Sequence, residues 1–167
     1  MLPSGCPAAT SLRVAPEAFL LGVHVRTARP TDLDAAARLM ARAGIERGGG
    51  PDDVDYLRNL LYVPSATVVV AESDARVVGV GVLSIRPSVR SGPFVGVIDE
   101  VAFAAGELAA ADRRRMADDL VEHLAASARN KGCTRVEVAE PLASAEPSLW
   151  KRLGFASRGR TLGREFA

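Results

Sequence analysis

Apolar positions recur along the chain in two rhythms. Leu33, Ala36, Ala37 and Met40 keep the three- and four-residue spacing of a helix with one buried face, and Gly44 ends it. Pro30-Thr31-Asp32-Leu33-Asp34 predicts its start, with Thr31 as N-cap and Asp34 three residues on. After the Gly48-Gly49-Gly50-Pro51 loop, Asp52 can cap a second helix with Val54, Leu57, Leu60 and Leu61 on its apolar side. The longest helix is predicted over about Asp112 to Lys131. Met116, Ala117, Leu120, Val121, Leu124 and Ala128 share one side of it, and Gly132 stops it. The other rhythm is that of strands. Val23-His24-Val25-Arg26 alternates, and Thr67 to Ala71 and Val77 to Ile85 form a hairpin around Ser73-Asp74-Ala75-Arg76. Gly79 and Gly81 fall on one face of the second hairpin strand, where a backbone or a ligand can approach closely. Phe94 to Phe103 is a third strand after Arg90-Ser91-Gly92-Pro93, and Cys133 to Ala139 follows the long helix. Ser144 can cap a short helix through Leu153, and a last strand or two runs from Phe155 to Phe166.

The predicted order is β-α-α-β-β-β-α-β-α-β. Hairpin strands followed by a β-α-β unit require a mixed sheet with helices on both faces, an α/β (α+β mixed sheet) fold. Met1 to about Leu21 holds three prolines and no clean period. Residues 1–22 are therefore expected to be an N-terminal extension to one domain over 23–167.

Composition narrows the function classes. Of 167 residues, 48% are hydrophobic and 25% charged, and the formal charge is +1. That balance offers no whole-molecule attraction to nucleic acid or an anionic membrane, so neither is expected as a partner. Two cysteines, Cys6 and Cys133, make neither a disulfide framework nor a metal-ligand spacing. No metal is expected. No apolar run approaches the ~20 residues that span a bilayer, and the first positive side chain is Arg13, a poor signal peptide. The expectation is a soluble, cytoplasmic protein.

One stretch breaks ordinary helix chemistry. Arg113, Arg114 and Arg115 follow Asp112 where the long helix is expected to begin, and a helix N-terminus is already partly positive. Cations belong there when an anion is shared between guanidinium groups and unpaired amides. The competing reading starts the helix earlier, near Glu107, and pairs Arg114 with Asp118 and Arg115 with Asp119. Such exposed pairs contribute about 0.3–0.5 kcal/mol, with the basic residue in the poorer N-terminal position. The arginine clamp is the favoured reading.

The order of elements, with an Arg-rich loop between a strand and a long helix, resembles the GNAT superfamily of acetyl-CoA-dependent N-acetyltransferases from about Val23 onward. Leu149-Trp150-Lys151-Arg152-Leu153-Gly154-Phe155 is similar to the family's late Tyr-x-x-Leu-Gly-Phe segment, and Ile98-Asp99-Glu100-Val101-Ala102-Phe103 to its central strand. The resemblance implies acetyl-CoA as cosubstrate, held at Val101, Ala102, Phe103, Arg113, Arg114, Arg115, Met116 and Ala117. It implies transfer to a primary amine, on a small molecule or a peptide, by direct attack in a ternary complex; a homodimer is expected from the family alone. The chain departs from the family's Arg/Gln-x-x-Gly-x-Gly/Ala loop. With Asp112 in the first position, Arg115 replaces the first glycine and Ala117 takes the last small position. Trp150 stands where the family has a tyrosine acid. These departures motivate the alternative of a catalytically impaired, CoA-sensing or protein-interaction module.

Asp99 and Glu100 are the candidate bases. Adjacent in an apolar strand, they are expected on opposite faces, either as a cleft carboxylate with a raised pKa or in structural pairing with an arginine. Glu140 ends the strand after the long helix, placed to bind a substrate amine or to lie in solvent. Trp150 reads as packing with one indole N–H to donate. His24 and His123 read as structural or exposed.

Overall fold

The computed structural model describes residues 22–45, 51–90, 92–104, 106 and 109–157, the side chains of 51 and 52 excepted. Within them run β1 (His24–Thr27), α1 (Leu33–Arg42), α2 (Pro51–Tyr62), β2 (Ala66–Ser73), β3 (Arg76–Ser88) and β4 (Gly92–Phe103). Then follow α3 (Ala110–Asn130), β5 (Cys133–Val138), α4 (Leu142–Ala145) and α5 (Pro147–Arg152). The sheet order is β1-β2-β3-β4-β5, antiparallel except for the parallel pair β4 and β5. The expected mixed sheet is therefore present. Of the last strand or two expected from Phe155 to Phe166, residues 155–157 are irregular, and the remainder, like the extension before residue 22, lies outside the described residues.

The β-branched run of β2 is buried from Ala66 to Ala71, because both its faces are covered. On one side lies α3, whose Met116, Leu120, Val121, Leu124 and Ala128 are all nearly or fully inaccessible. The glycines of β3 and β4 allow this approach. A Cβ on Gly81 would lie 2.4 Å from Leu120 Cδ2 and 2.9 Å from Leu124 Cδ1, and one on Gly96 would lie 2.9 Å from Ala128 Cβ. What comes close to Gly79 and Gly81 is thus a helix. On the other side, α1 packs over β3 and β4 and α2 over β2, burying Leu33, Ala36, Leu39, Met40 and Leu57.

Several helix starts differ from expectation. The turn before α1 is a short 3-10 segment, Pro30–Asp32, and Asp32 rather than Thr31 does the capping: its carboxylate accepts the Arg29 amide at 2.7 Å. Arg26 on β1 holds that carboxylate through both of its oxygens, at 2.6 and 3.1 Å, and reaches Glu72 on β2 with Nε at 2.9 Å. The helix α2 already includes Pro51 and Asp52. The helix α3 begins at Ala110, two residues before Asp112, with Ala109 extended at its N-cap and the Arg113 amide on the Ala109 carbonyl at 2.9 Å. Alanine is the best helix former, so nothing in Ala109-Ala110-Ala111 delays the start. Ser144 sits inside α4 and donates to Glu140 at 2.6 Å, and Glu146 separates α4 from α5.

Candidate acyl-transfer site

The site is made where β4 outlasts its neighbour. Parallel pairing with β5 ends at Ile98 opposite Val138, closed by the Ala139 amide on the Ile98 carbonyl at 2.9 Å. The chain then leaves the sheet through Glu140 and Pro141 into α4, while β4 continues to Phe103. The Ala104 amide bonds Val78 of β3 at 2.9 Å, so alternate residues Ala102 and Glu100 turn their main-chain groups toward β3. Val101 and Phe103 turn theirs the other way, onto the side β5 has vacated. That open edge is bounded by the first turns of α3 and by α5.

A cleft of about 180 Å³ lies there, lined by Phe103, Arg113, Arg114, Glu146, Ser148 and Arg152 among others. Arg113, Arg114 and Arg115 are exposed, and among the described residues no carboxylate pairs with any of them. The helix does begin before Asp112, as the competing reading has it, but neither of its pairs forms: Asp118 is held by Arg152, and Arg115 does not reach Asp119. The amides of Ala110, Ala111 and Asp112 open the helix ahead of its first internal hydrogen bond. Of the residues predicted for this region, Val101, Ala102 and Phe103 line the end of β4. Arg113, Arg114 and Ala117 line the cleft. Met116 turns into the core toward Gly79, and Arg115 is exposed without lining the cleft.

The carboxylates depart from the sequence reading. The register of β3 and β4 slips by one between Val82 opposite Glu100 and Leu83 opposite Ile98, which makes Asp99 the extra residue of a β-bulge. Glu100 shares the face of Val82. Asp99, the extra residue beside it, falls near Ser84, two residues along β3 on that same face, whose hydroxyl favours its charged form. The two carboxylates therefore lie on one face, the α1 and α2 side, rather than on opposite faces. Burial pushes Asp99 above the usual carboxylate range, with Ser84 opposing it in part. Burial also raises Glu100, and the neighbouring Asp99 charge raises it further. A pair of carboxyls at the point where the sheet opens, disposed to hold a proton, can exchange one with an ammonium group.

The other predicted residues fall around this centre. Glu140 is exposed at the end of β5 and accepts from Ser144. Trp150 is buried; its indole N–H donates to the Leu142 carbonyl at 3.0 Å and its ring meets Phe155 edge to face at 5.4 Å, tying α5 to α4. His24 is exposed and His123 half-buried. Two clusters escaped the sequence reading. One is Arg26 with Asp32 and Glu72; the other is Glu137 on β5 with Arg86 of β3 at 2.7 Å and Arg135 at 2.8 Å. Each cluster takes one member from a distant strand, Glu72 for Arg26 and Arg86 for Glu137, and the local signal is an arginine inside an alternating strand. Among the described residues no group of three or more side chains could hold a metal ion, and no helix is long and apolar enough to cross a membrane.

The acetyltransferase (GNAT) family model matches residues 33–155. No sequence among curated proteins matches the chain. Solved structures share the fold at low identity. A ribosomal-protein-alanine N-acetyltransferase from Brucella melitensis is 19% identical with a TM-score of 0.68, covering 87% of this chain and 100% of its own. An aminoglycoside N-acetyltransferase in complex with CoA is 19% identical with a TM-score of 0.69, covering 87% and 96%. The glucosamine-6-phosphate N-acetyltransferase of Arabidopsis thaliana is 14% identical with a TM-score of 0.69, covering 87% and 99%.

Proposed function

The chain belongs to the acetyltransferase (GNAT) family, and from that premise we propose that it transfers an acetyl group from acetyl-CoA to a primary amine by direct attack in one ternary complex. The observation that carries this reading is the opening past Ile98, which puts a strand edge unpaired among the described residues beside a cationic cleft and near two carboxyls of raised pKa.

The residues present fit acetyl-CoA. Its diphosphate needs donors with no other claim on them, which the first amides of α3 and Arg113 and Arg114, unpaired among the described residues, supply. When bound, acetyl-CoA provides an acyl group already activated as a thioester. The main-chain groups of Val101 and Phe103 offer an extended arm hydrogen bonds of the kind a sheet edge offers a peptide. Asp99 or Glu100 takes the proton of the acceptor ammonium, directly or through one water, freeing its lone pair. Their burial keeps the proton-accepting form at a pKa closer to neutrality than that of a solvated carboxylate. Trp150 has spent its N–H on Leu142 and has no proton to give near neutral pH. A thiol of pKa ~8.5 leaves as thiolate with little help, so positioning carries much of the rate.

Release of free thiol from acetyl-CoA, followed across a panel of amines, tests the reaction. Amine-dependent release is expected, falling about a hundredfold in whichever of Asp99→Asn and Glu100→Gln removes the base. Absence of release with every amine, beside tight binding of CoA, would overturn catalysis in favour of a sensing or interaction module.

A further inference from the structure

The face that carries Asp99 and Glu100 continues beyond them. Val97 lies opposite Ser84 on one side and opposite Glu137 on the other, so the three side chains form a row across β3, β4 and β5. Gly96, next to Val97, faces Ala128 of α3, so this row faces away from α3. The cover of α1 and α2 is complete over Val80, Val82 and Ala102, which are buried, and stops short of Ser84 and Val97, which are only half-buried. At the far edge of that shelf stand Arg86 and Arg135, both bonded to Glu137.

Two guanidinium groups around one carboxylate leave a charge of +1. A purely structural latch needs one arginine. Arg86 commits only Nη2 to Glu137 and has half of its side chain exposed, 51%, leaving the rest of its planar fork free. Arg86 is two residues from Ser84 on β3, about 7 Å along the strand, and four from Val82, which lies opposite Glu100. The shelf thus has proton acceptors at one end and surplus guanidinium donors at the other.

We propose that Arg86 and Arg135 bind a negative group on the acceptor, so that the amine acetylated here carries a carboxylate or phosphate separated from its nitrogen by a short chain. This rests on the acyl-transfer reading above. The nitrogen meets Asp99 and Glu100 while the oxyanion meets Arg86, whose free N–H groups receive it without displacing Glu137. Glu137 keeps the two guanidinium groups in place, which makes it a positioning residue.

The probes are ω-aminopentanoate, aminobutyl phosphate and the uncharged amide of the first. For the native protein, kcat/KM on the two oxyanion-bearing amines is expected to exceed that on the amide by at least about tenfold. In Arg86→Gln and Arg135→Gln that preference collapses through KM, with kcat and acetyl-CoA affinity unchanged, as for a contact made equally before and during reaction. The ratio between carboxylate and phosphate probes distinguishes the two sources of charge. A native preference below twofold, or one that survives both substitutions, overturns the proposal. If no amine is turned over, a nitrogen–proton spectrum of the arginine side chains still decides it. The Arg86 and Arg135 signals, assigned from the same variants, should shift with the oxyanion probes and not with the amide. Signals that stay in place would sink the clamp independently of the reaction.

Discussion

Arg26 and the run Arg113 to Arg115 place the same guanidinium group in opposite circumstances. Arg26 is largely buried between β1 and β2 and meets two carboxylates, Asp32 and Glu72, with Nε and both terminal nitrogens engaged. These bonds hold its pKa above the ordinary arginine value, so its charge is permanent and spent. Arg113, Arg114 and Arg115 stand exposed at the start of α3, and among the described residues no carboxylate answers them. The first arrangement gains its stability inside the protein. The second leaves charge beside a cleft and helix amides, where an incoming anion gains the benefit. Charge saturated internally supports the fold, whereas charge left over at a concave edge awaits a ligand.

The largest effect should come from breaking the saturated case. Arg26→Met removes both ion pairs and strands Asp32, only 7% exposed, with the Arg29 amide as its one remaining donor among the described residues. A buried charge left unpaired costs about 3 kcal/mol, to be read from the urea midpoint at neutral pH. A loss below 1 kcal/mol would mean that Asp32 finds water and that Arg26 is dispensable.

The unsaturated case predicts the reverse division of effects. Replacing Arg113, Arg114 and Arg115 together with alanine should change stability by no more than about 0.5 kcal/mol, since no carboxylate partner among the described residues is lost. Acetyl-CoA affinity measured by calorimetry should fall by roughly a hundredfold, on the scale of one or two charge-assisted hydrogen bonds. Undiminished affinity would remove these arginines from the site.

The contrast also explains what the sequence could disclose. Helices and strands were legible because their apolar periods record which face is buried, and the Arg run was legible because three like charges at one helix start violate a local rule. The face shared by Asp99 and Glu100 was not, since strict alternation holds only while register holds. The slip at Asp99 is set by β3 pairing with β4, not by the pentapeptide around it. Arg26 with Glu72 was hidden for a related reason: the partners meet through β1 pairing antiparallel with β2, His24 opposite Glu72. Thr31 was preferred as N-cap on residue type, whereas Arg26 reaches across to fix Asp32 instead. The glycines at 79 and 81 signalled close approach correctly without saying that a helix, rather than a ligand, arrives.

The smallest effect compares two aspartates rather than two arginines, and its sign reverses between them. Asp32 is held below the usual carboxylate pKa, chiefly by its hydrogen bonds to Arg26. Its contribution to stability is therefore present above the unfolded value, ~4, and is lost as pH falls through the lower folded value. Asp99 is raised by burial, so the folded state prefers its neutral form. Ionised Asp99 works against folding at neutral pH, and that penalty fades as pH falls through its raised folded value toward ~4. Asp99→Asn should accordingly be more stable than the native protein at neutral pH, by less than the Arg26 lesion costs, and equal to it in acid. Asp32→Asn should be less stable at neutral pH, the gap closing only at the acid end. Denaturant midpoints over a pH series measure both gaps. A gap for Asp99→Asn that stays constant with pH would show that burial does not raise Asp99, and would favour Glu100 as the base on that face.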